Sequence, residues 1–171
     1  MVVTLNKKQN IEKETENILQ AIYGSIDCVE LPIDLNYVLK FTGLELIRFT
    51  PNDPNLEHKE LFQDVLGAYS RTGKAIFIRD GQIPSREAFT IAHEIGHHIL
   101  HEDIHFRTDN FNYIDEEIEK EQEANYFAAS LLMPDCLVKK YKVDYGGDLE
   151  KISLIFGVSK QAMQIRLSNL D

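Results

Sequence analysis

Five of the six histidines, His93, His97, His98, His101 and His105, fall within thirteen residues, and histidine clustering of this kind points to metal. Within the cluster, His93-Glu94-Ile95-Gly96-His97 sets two imidazoles four residues apart. On a helix that spacing stacks both rings on one face, where both can ligate one tetrahedral Zn²⁺ at about 2.0–2.1 Å. Glu94 is rotated about 100° from His93, so its carboxylate flanks the open coordination position without filling it. That is the placement of a general base able to take a proton from water. Burying two histidines and a glutamate on an apolar helix without a metal or other partners would be costly.

A catalytic zinc needs a third protein ligand and keeps a fourth position open. The segment from Asp115 to Met133 offers Glu121 and Glu123 near an inward face of Ala124, Phe127, Ala128 and Leu131. With Ala124 at the centre of that face, Glu121 lies at about +60° and Glu123 at about −100°. Glu121 is therefore the better ligand and Glu123 the alternative, with Asp115, Glu116 and Glu119 behind them. Asn125, four residues after Glu121, lies on the same side and can hydrogen-bond a ligand histidine. His101 drifts from the 93/97 line and reads as a helix-end histidine favoured by the macrodipole, with a role beside the site as the alternative. His98 and His105 read as solvated. Arg86 either orients the site or pairs with a nearby acid, and Tyr69, Tyr113, Tyr126 or His105 is a candidate to stabilise a developing oxyanion.

These residues need rigid elements. REAFTIAHEIGHHILH keeps a helical period at Phe89, Ala92, Ile95, Ile99 and Leu100 behind Pro84, which predicts a buried helix. A second strong helix is predicted from near Asp115 to Pro134. Upstream, residues 9–23 read as an amphipathic helix, and LPIDLNYVLKFTG as a short helix opened by Pro32 and closed by Gly43. Residues 44–49 read as a strand and 50–60 as a surface loop. Runs 64–70 and 75–79 read as a hairpin with Gly73 in its turn, ended by Asp80-Gly81. Segment 102–114 connects the two active-site helices, and either it or loop 50–62 is placed to cover the cleft. From Asp148 on, two helical patterns meet at Phe156-Gly157-Val158-Ser159, with Ser159 as N-cap, in a helix-turn-helix outline.

Length and charge bound the rest. The 171 residues, 43% hydrophobic and 27% charged, suit one soluble domain, or one domain and a small appendage. No apolar run approaches the ~18 residues of a membrane span, and the polar start argues against a signal peptide. We therefore expect a cytoplasmic protein with no membrane partner. Cys28 and Cys136 lack metal-type spacing and read as reduced thiols. A net charge of −10 argues against non-specific binding of nucleic acid.

REAFTIAHEIGHHILH and EQEANYFAASLLMP, in that order and with Glu121 24 positions after His97, resemble the two active-site helices of the ImmA/IrrE metallopeptidases, zinc endopeptidases of bacteria and their mobile elements. The resemblance is strongest over residues 64–134, fair for FGVSKQAMQIRL and weak before residue 60. It implies one zinc per chain on His93, His97 and Glu121, with Glu94 as the catalytic glutamate and Asn125 beside the ligands. It implies an α+β, zincin-like fold in which a small sheet backs the active-site helix, over residues 1–134, followed by a helix-turn-helix-like tail over 135–171. It also implies a protein substrate, a helix-turn-helix transcriptional repressor cut to derepress phage, mobile-element or stress genes.

Two other readings compete. The tail could bind DNA directly with zinc only structural, but Asp148 to Asp171 holds three basic and three acidic residues where DNA readers carry a basic stripe. Alternatively, the protein holds zinc and sequesters a regulator without cutting it, which the intact Glu94 counts against. Manganese could replace zinc where its supply dominates.

Overall fold

The computed structural model describes residues 3–51, 65–101 and 114–170, with side chains in the last segment from residue 118 onward. His58, His105, Tyr113, the loop expected at 50–60 beyond Pro51 and the connection expected at 102–114 up to Tyr113 lie outside the described residues. Helix α1 (Leu5–Tyr23) begins earlier than its apolar periodicity predicts, because the Thr4 side chain accepts from the Lys7 amide and caps a first turn with no buried face. A 3-10 turn (Ile26–Cys28) leads to α2 (Leu35–Thr42), capped by Asp34 and closed by Gly43 in the left-handed region. Pro32 stands outside that helix, after a cis Leu31–Pro32 bond, so Asp34 takes over the opening role that the sequence assigns to Pro32.

Strands β1 (Glu45–Phe49), β2 (Gly67–Ser70) and β3 (Ala75–Arg79) form one sheet in the order β1-β3-β2. β1 runs parallel to β3 and β2 antiparallel to it. In the β2–β3 turn the left-handed residue is Lys74, at φ 46°, while Gly73 donates its amide to Ser70 Oγ. β3 is the central strand, and Ala75, Ile76 and Ile78 are buried. Against the sheet lies α3 (Pro84–Leu100), begun by Pro84 in its first turn and burying Ile91, Ala92 and Ile95. α4 (Ile114–Leu132) packs between α3 and α1.

Gly96 sets how closely α3 and α4 meet. A Cβ there would stand 3.1 Å from Phe127 Cδ1 and 3.2 Å from the Ala124 Cα, so any larger residue would press the two helices apart by a few tenths of an ångström at this point. This is the close approach that a mid-helix glycine, costing about 1 kcal/mol against alanine, requires as its reason.

The chain continues through α5 (Asp135–Asp144), α6 (Leu149–Ile155) and α7 (Lys160–Leu170). α5 has no counterpart in the sequence reading: its inward residues, Leu137 and Val138, are too few to set a period. α6 and α7 are joined through Gly157, at φ 66°, and Ser159 Oγ accepts from the Ala162 amide at 3.1 Å. Leu137, Val138, Ile152, Phe156 and Met163 share one hydrophobic core with Leu19, Ile76, Ile95 and Phe127. The 134/135 division falls at the corner between α4 and α5, and both sides contribute to that core.

A buried ion pair fastens α7 to α1. Arg166 is 2% exposed; its Nη1 and Nη2 donate to Glu12 Oε1 and Oε2 at 2.5 and 2.8 Å, and its Nε donates to the Met133 carbonyl at 2.9 Å. From α4, Tyr126 and Ser130 donate to the same Glu12 oxygen at 2.8 and 3.0 Å. No helix among the described residues is long and apolar enough to cross a membrane.

Candidate metal centre

The turn-and-a-bit between His93 and His97 puts both rings on the α4 side of α3, with Nε2 atoms 3.0 Å apart. Glu121 reaches them from α4, Oε1 at 3.1 Å from His97 Nε2 and Oε2 at 3.4 Å from His93 Nε2. Among the described residues, His93, His97 and Glu121 make the group of potential ligands whose atoms all lie within 4.8 Å of one another. Two atoms that ligate one tetrahedral ion at about 2.0–2.1 Å stand about 3.3 Å apart, so the observed spacings suit such an ion without movement of either helix. Two imidazole nitrogens and a carboxylate are also a donor set suited to zinc. The two histidines hold the Glu121 carboxyl well below the usual carboxylate range through their hydrogen bonds. Burial lowers the His93 value, but Glu121, Glu94 and Asn125 outweigh it and leave His93 above an ordinary histidine.

Glu94 is 8% exposed. Burial pushes its carboxyl up, against the opposing pull of His93 and His97, and a main-chain hydrogen bond from Tyr69 holds it. A buried carboxyl with a raised proton affinity, next to two histidines, is a proton acceptor suited to neutral pH. The space for it comes from β2: a Cβ at Gly67 would stand 3.3 Å from Glu94 Oε1 and 2.4 Å from Thr90 Cγ2. Nothing in the sequence singled out Gly67, although glycine within a strand is a general sign of close approach by another element.

Behind the cluster, Asn125 Oδ1 lies 3.1 Å from His93 Nδ1. His101 does end α3, and it also lies beside the site: it is 8% exposed, with Nδ1 3.1 Å from His97 Nδ1 and Nε2 3.2 Å from Glu123 Oε2. Burial lowers its proton affinity, partly offset by Glu123, and this overrides the macrodipole. Glu123 faces away from the His93–His97 pair, toward His101 and Lys7. His98, expected to be solvated, is half-buried with Nδ1 2.7 Å from the Tyr69 hydroxyl and their rings edge to face. Of the oxyanion candidates, Tyr69 is engaged with His98, and Tyr126 gives its hydroxyl to Glu12, with burial and that carboxylate pushing it up to about 12. Arg86 lines a cleft of about 710 Å³ together with Phe89, Asn125, Ala129, Met133 and Ile165. The cleft runs from Asn125, beside the histidines, toward α7.

Known proteins agree with this architecture. No curated protein sequence is significantly similar to the chain. Among solved structures, a Mycobacterium tuberculosis transcriptional regulator is similar over 94% of this chain and 46% of its own, with a TM-score of 0.63 and 19% identity. That likeness is one of fold, and this chain spans about half the length of that protein. The model of the IrrE N-terminal-like domain, Peptidase_M78, matches residues 47–168, which takes in the end of β1, the hairpin, both helices of the His-His-Glu cluster and nearly all of the tail. The chain therefore belongs to the IrrE N-terminal-like family of metallopeptidases.

Proposed function

We propose that the protein is a zinc-dependent endopeptidase of the cytoplasm. The observation that supports this best is the convergence of His93, His97 and Glu121 within ligand distance of one another, beside the buried carboxyl of Glu94. One zinc held by those three residues would supply Lewis acidity, acidifying a water and polarising the scissile carbonyl. Glu94 accepts the proton that the attacking water gives up as its oxygen bonds to the carbonyl carbon. When the carbon–nitrogen bond breaks, the same carboxyl returns that proton to the leaving amine. Gly67 and the Tyr69 main chain keep Glu94 in place from the β2 side, and Asn125 orients the His93 ring.

The substrate in this reading is a helix-turn-helix transcriptional repressor, as the family resemblance implies. The tail is not assigned to DNA. Arg166 is turned inward onto Glu12, Lys151 pairs with Asp148 at 3.4 Å and Lys160 with Glu150 at 3.7 Å, which supports a docking or packing role over phosphate binding. A second reading, a zinc-containing regulator that does not cut, draws on the regulator to which the fold is similar.

Glu94→Gln separates the two. The variant should keep one zinc per chain, by mass spectrometry of protein purified without chelator, and lose cleavage of a helix-turn-helix repressor that the wild-type protein cuts. Undiminished cleavage would remove Glu94 from the mechanism. Wild-type protein that binds and silences a repressor without cutting it would favour the regulator.

A further inference from the structure

His97 is held from behind by groups that the hydrolytic reading leaves without a task. Lys7 Nζ, from α1, lies 2.5 Å from Glu123 Oε1; Glu123 Oε2 lies 3.2 Å from His101 Nε2; and His101 Nδ1 lies 3.1 Å from His97 Nδ1. The side chains of Glu123 and His101 are 13% and 7% exposed, so their mutual contact is largely shielded from water, while Lys7 reaches Glu123 from the surface. Arg71, from the β2–β3 turn, donates to the His101 carbonyl and fixes the backbone at that end of α3.

The direction of each hydrogen bond follows from the one before it. A carboxylate only accepts, so His101 Nε2 carries the proton it shares with Glu123. A neutral imidazole has one N–H, so His101 Nδ1 presents a lone pair, and His97 Nδ1 is the donor facing it. In a neutral His97 the lone pair is then on Nε2, the atom 3.1 Å from Glu121 Oε1 and 3.0 Å from His93 Nε2, so an ion bound there would take the place of the proton that Nε2 otherwise shares with Glu121. The opposite tautomer would put a proton where an ion has to bind.

We propose that Lys7, Glu123 and His101 are positioning residues that lock His97 into the tautomer that ligates a metal through Nε2. The inference rests on the reading of the cluster as a metal centre. It makes α1 part of that centre, although Lys7 lies outside the matched residues 47–168. It also gives Glu123 a task distinct from that of a ligand: it acts on the metal through two rings.

The test uses the full chain and Zn²⁺ alone, with affinity read by competition against a chromophoric chelator and folding of each metal-free variant checked by thermal melting. His101→Leu should weaken zinc about 10–100-fold, the range for removal of a group that orients a ligand. Glu123→Ala should weaken it as well, and Glu123→Gln, which keeps an acceptor oxygen, should restore most of the loss. In the His101→Leu background, Glu123→Ala should add nothing, because its effect passes through the missing ring. Long-range ¹H–¹⁵N spectra of zinc-loaded wild-type protein, which depend on no variant folding, should place the protons on His101 Nε2 and His97 Nδ1. A proton on His101 Nδ1, or unchanged affinity in folded His101→Leu, would overturn the inference and leave the metal centre standing. Wild-type protein that takes up no zinc would overturn both.

Discussion

Replacing Arg166 with Met keeps an unbranched apolar stem and removes the charged guanidinium from a pocket where the residue is 2% exposed. The two guanidinium nitrogens stand 2.5 and 2.8 Å from the Glu12 oxygens, which puts the charge centres about 4 Å apart, and two charges at that distance attract by about 4 kcal/mol at an effective dielectric of 20. Breaking a buried pair from one side costs about 3–5 kcal/mol, because the remaining ion loses its partner without regaining water. Glu12 keeps Tyr126 and Ser130, and its side chain is 19% exposed, so some hydration returns. We therefore expect Arg166→Met to cost about 3 kcal/mol, a large part of a typical domain stability of about 5–15 kcal/mol. Urea titration of chelator-treated protein measures it, with Glu12→Gln and the double variant completing a cycle. The pair should couple strongly, with the double variant less destabilised than the two single losses combined. The same pair gives an acid signature. Burial raises the Glu12 value, but Arg166, Tyr126 and Ser130 together outweigh it and hold the carboxyl below its ordinary range. Its contribution is then complete above the unfolded value of about 4.3 and is lost as pH falls through the lower, folded value. Arg166→Met should flatten that part of the stability–pH curve. A loss under about 1 kcal/mol, or simple additivity in the cycle, would refute the ion pair as the fastening between α7 and α1.

Three further outcomes follow from the site. Gly67→Val should lower turnover with zinc retained, because even its Cβ would meet Thr90 Cγ2 at 2.4 Å and crowd Glu94 Oε1 at 3.3 Å; a kcat assay beside metal analysis separates the two effects. Asn125→Ala removes the acceptor 3.1 Å from His93 Nδ1 and should weaken zinc about tenfold or more in the chelator competition. Removing metal with a chelator should lower the melting temperature, and restoring zinc to 100 times its Kd should return about 2.7 kcal/mol; a melting temperature indifferent to zinc would count against a bound ion.

The parts of this molecule that the sequence made legible are those governed by one helix at a time. Four-residue spacing stacks His93 on His97, and helical phase alone sets Glu121 and Glu123 on opposite sides of α4, where the structure has Glu121 beside His97 and Glu123 beside His101. Gly96 and Ser159 were readable for the same reason, because a mid-helix glycine and an N-cap serine each carry a local cost or gain. What escaped depends on partners far along the chain. Lys7 and Glu123 are 116 residues apart, and Glu12 and Arg166 are 154 apart; periodicity carries no information on such pairings. Gly67 matters only because α3 crosses β2 there. α5 was missed for a different reason, since a short helix with two inward residues leaves no period to detect.

The contact at Gly96 has a consequence for the order of events in making the site. There α3 and α4 rest on each other through backbone and the Phe127 ring, so their separation is set by bulk and not by any bond to an ion. In many small zinc domains the ion itself gathers the chain, and folding and loading are one event. Here the gap is gauged by the contact itself, and the ligand atoms stand at a spacing that suits an ion. If bulk alone sets that gap, folding and loading should be separable steps, and the supply of the ion, with no refolding step, would decide when the site is active.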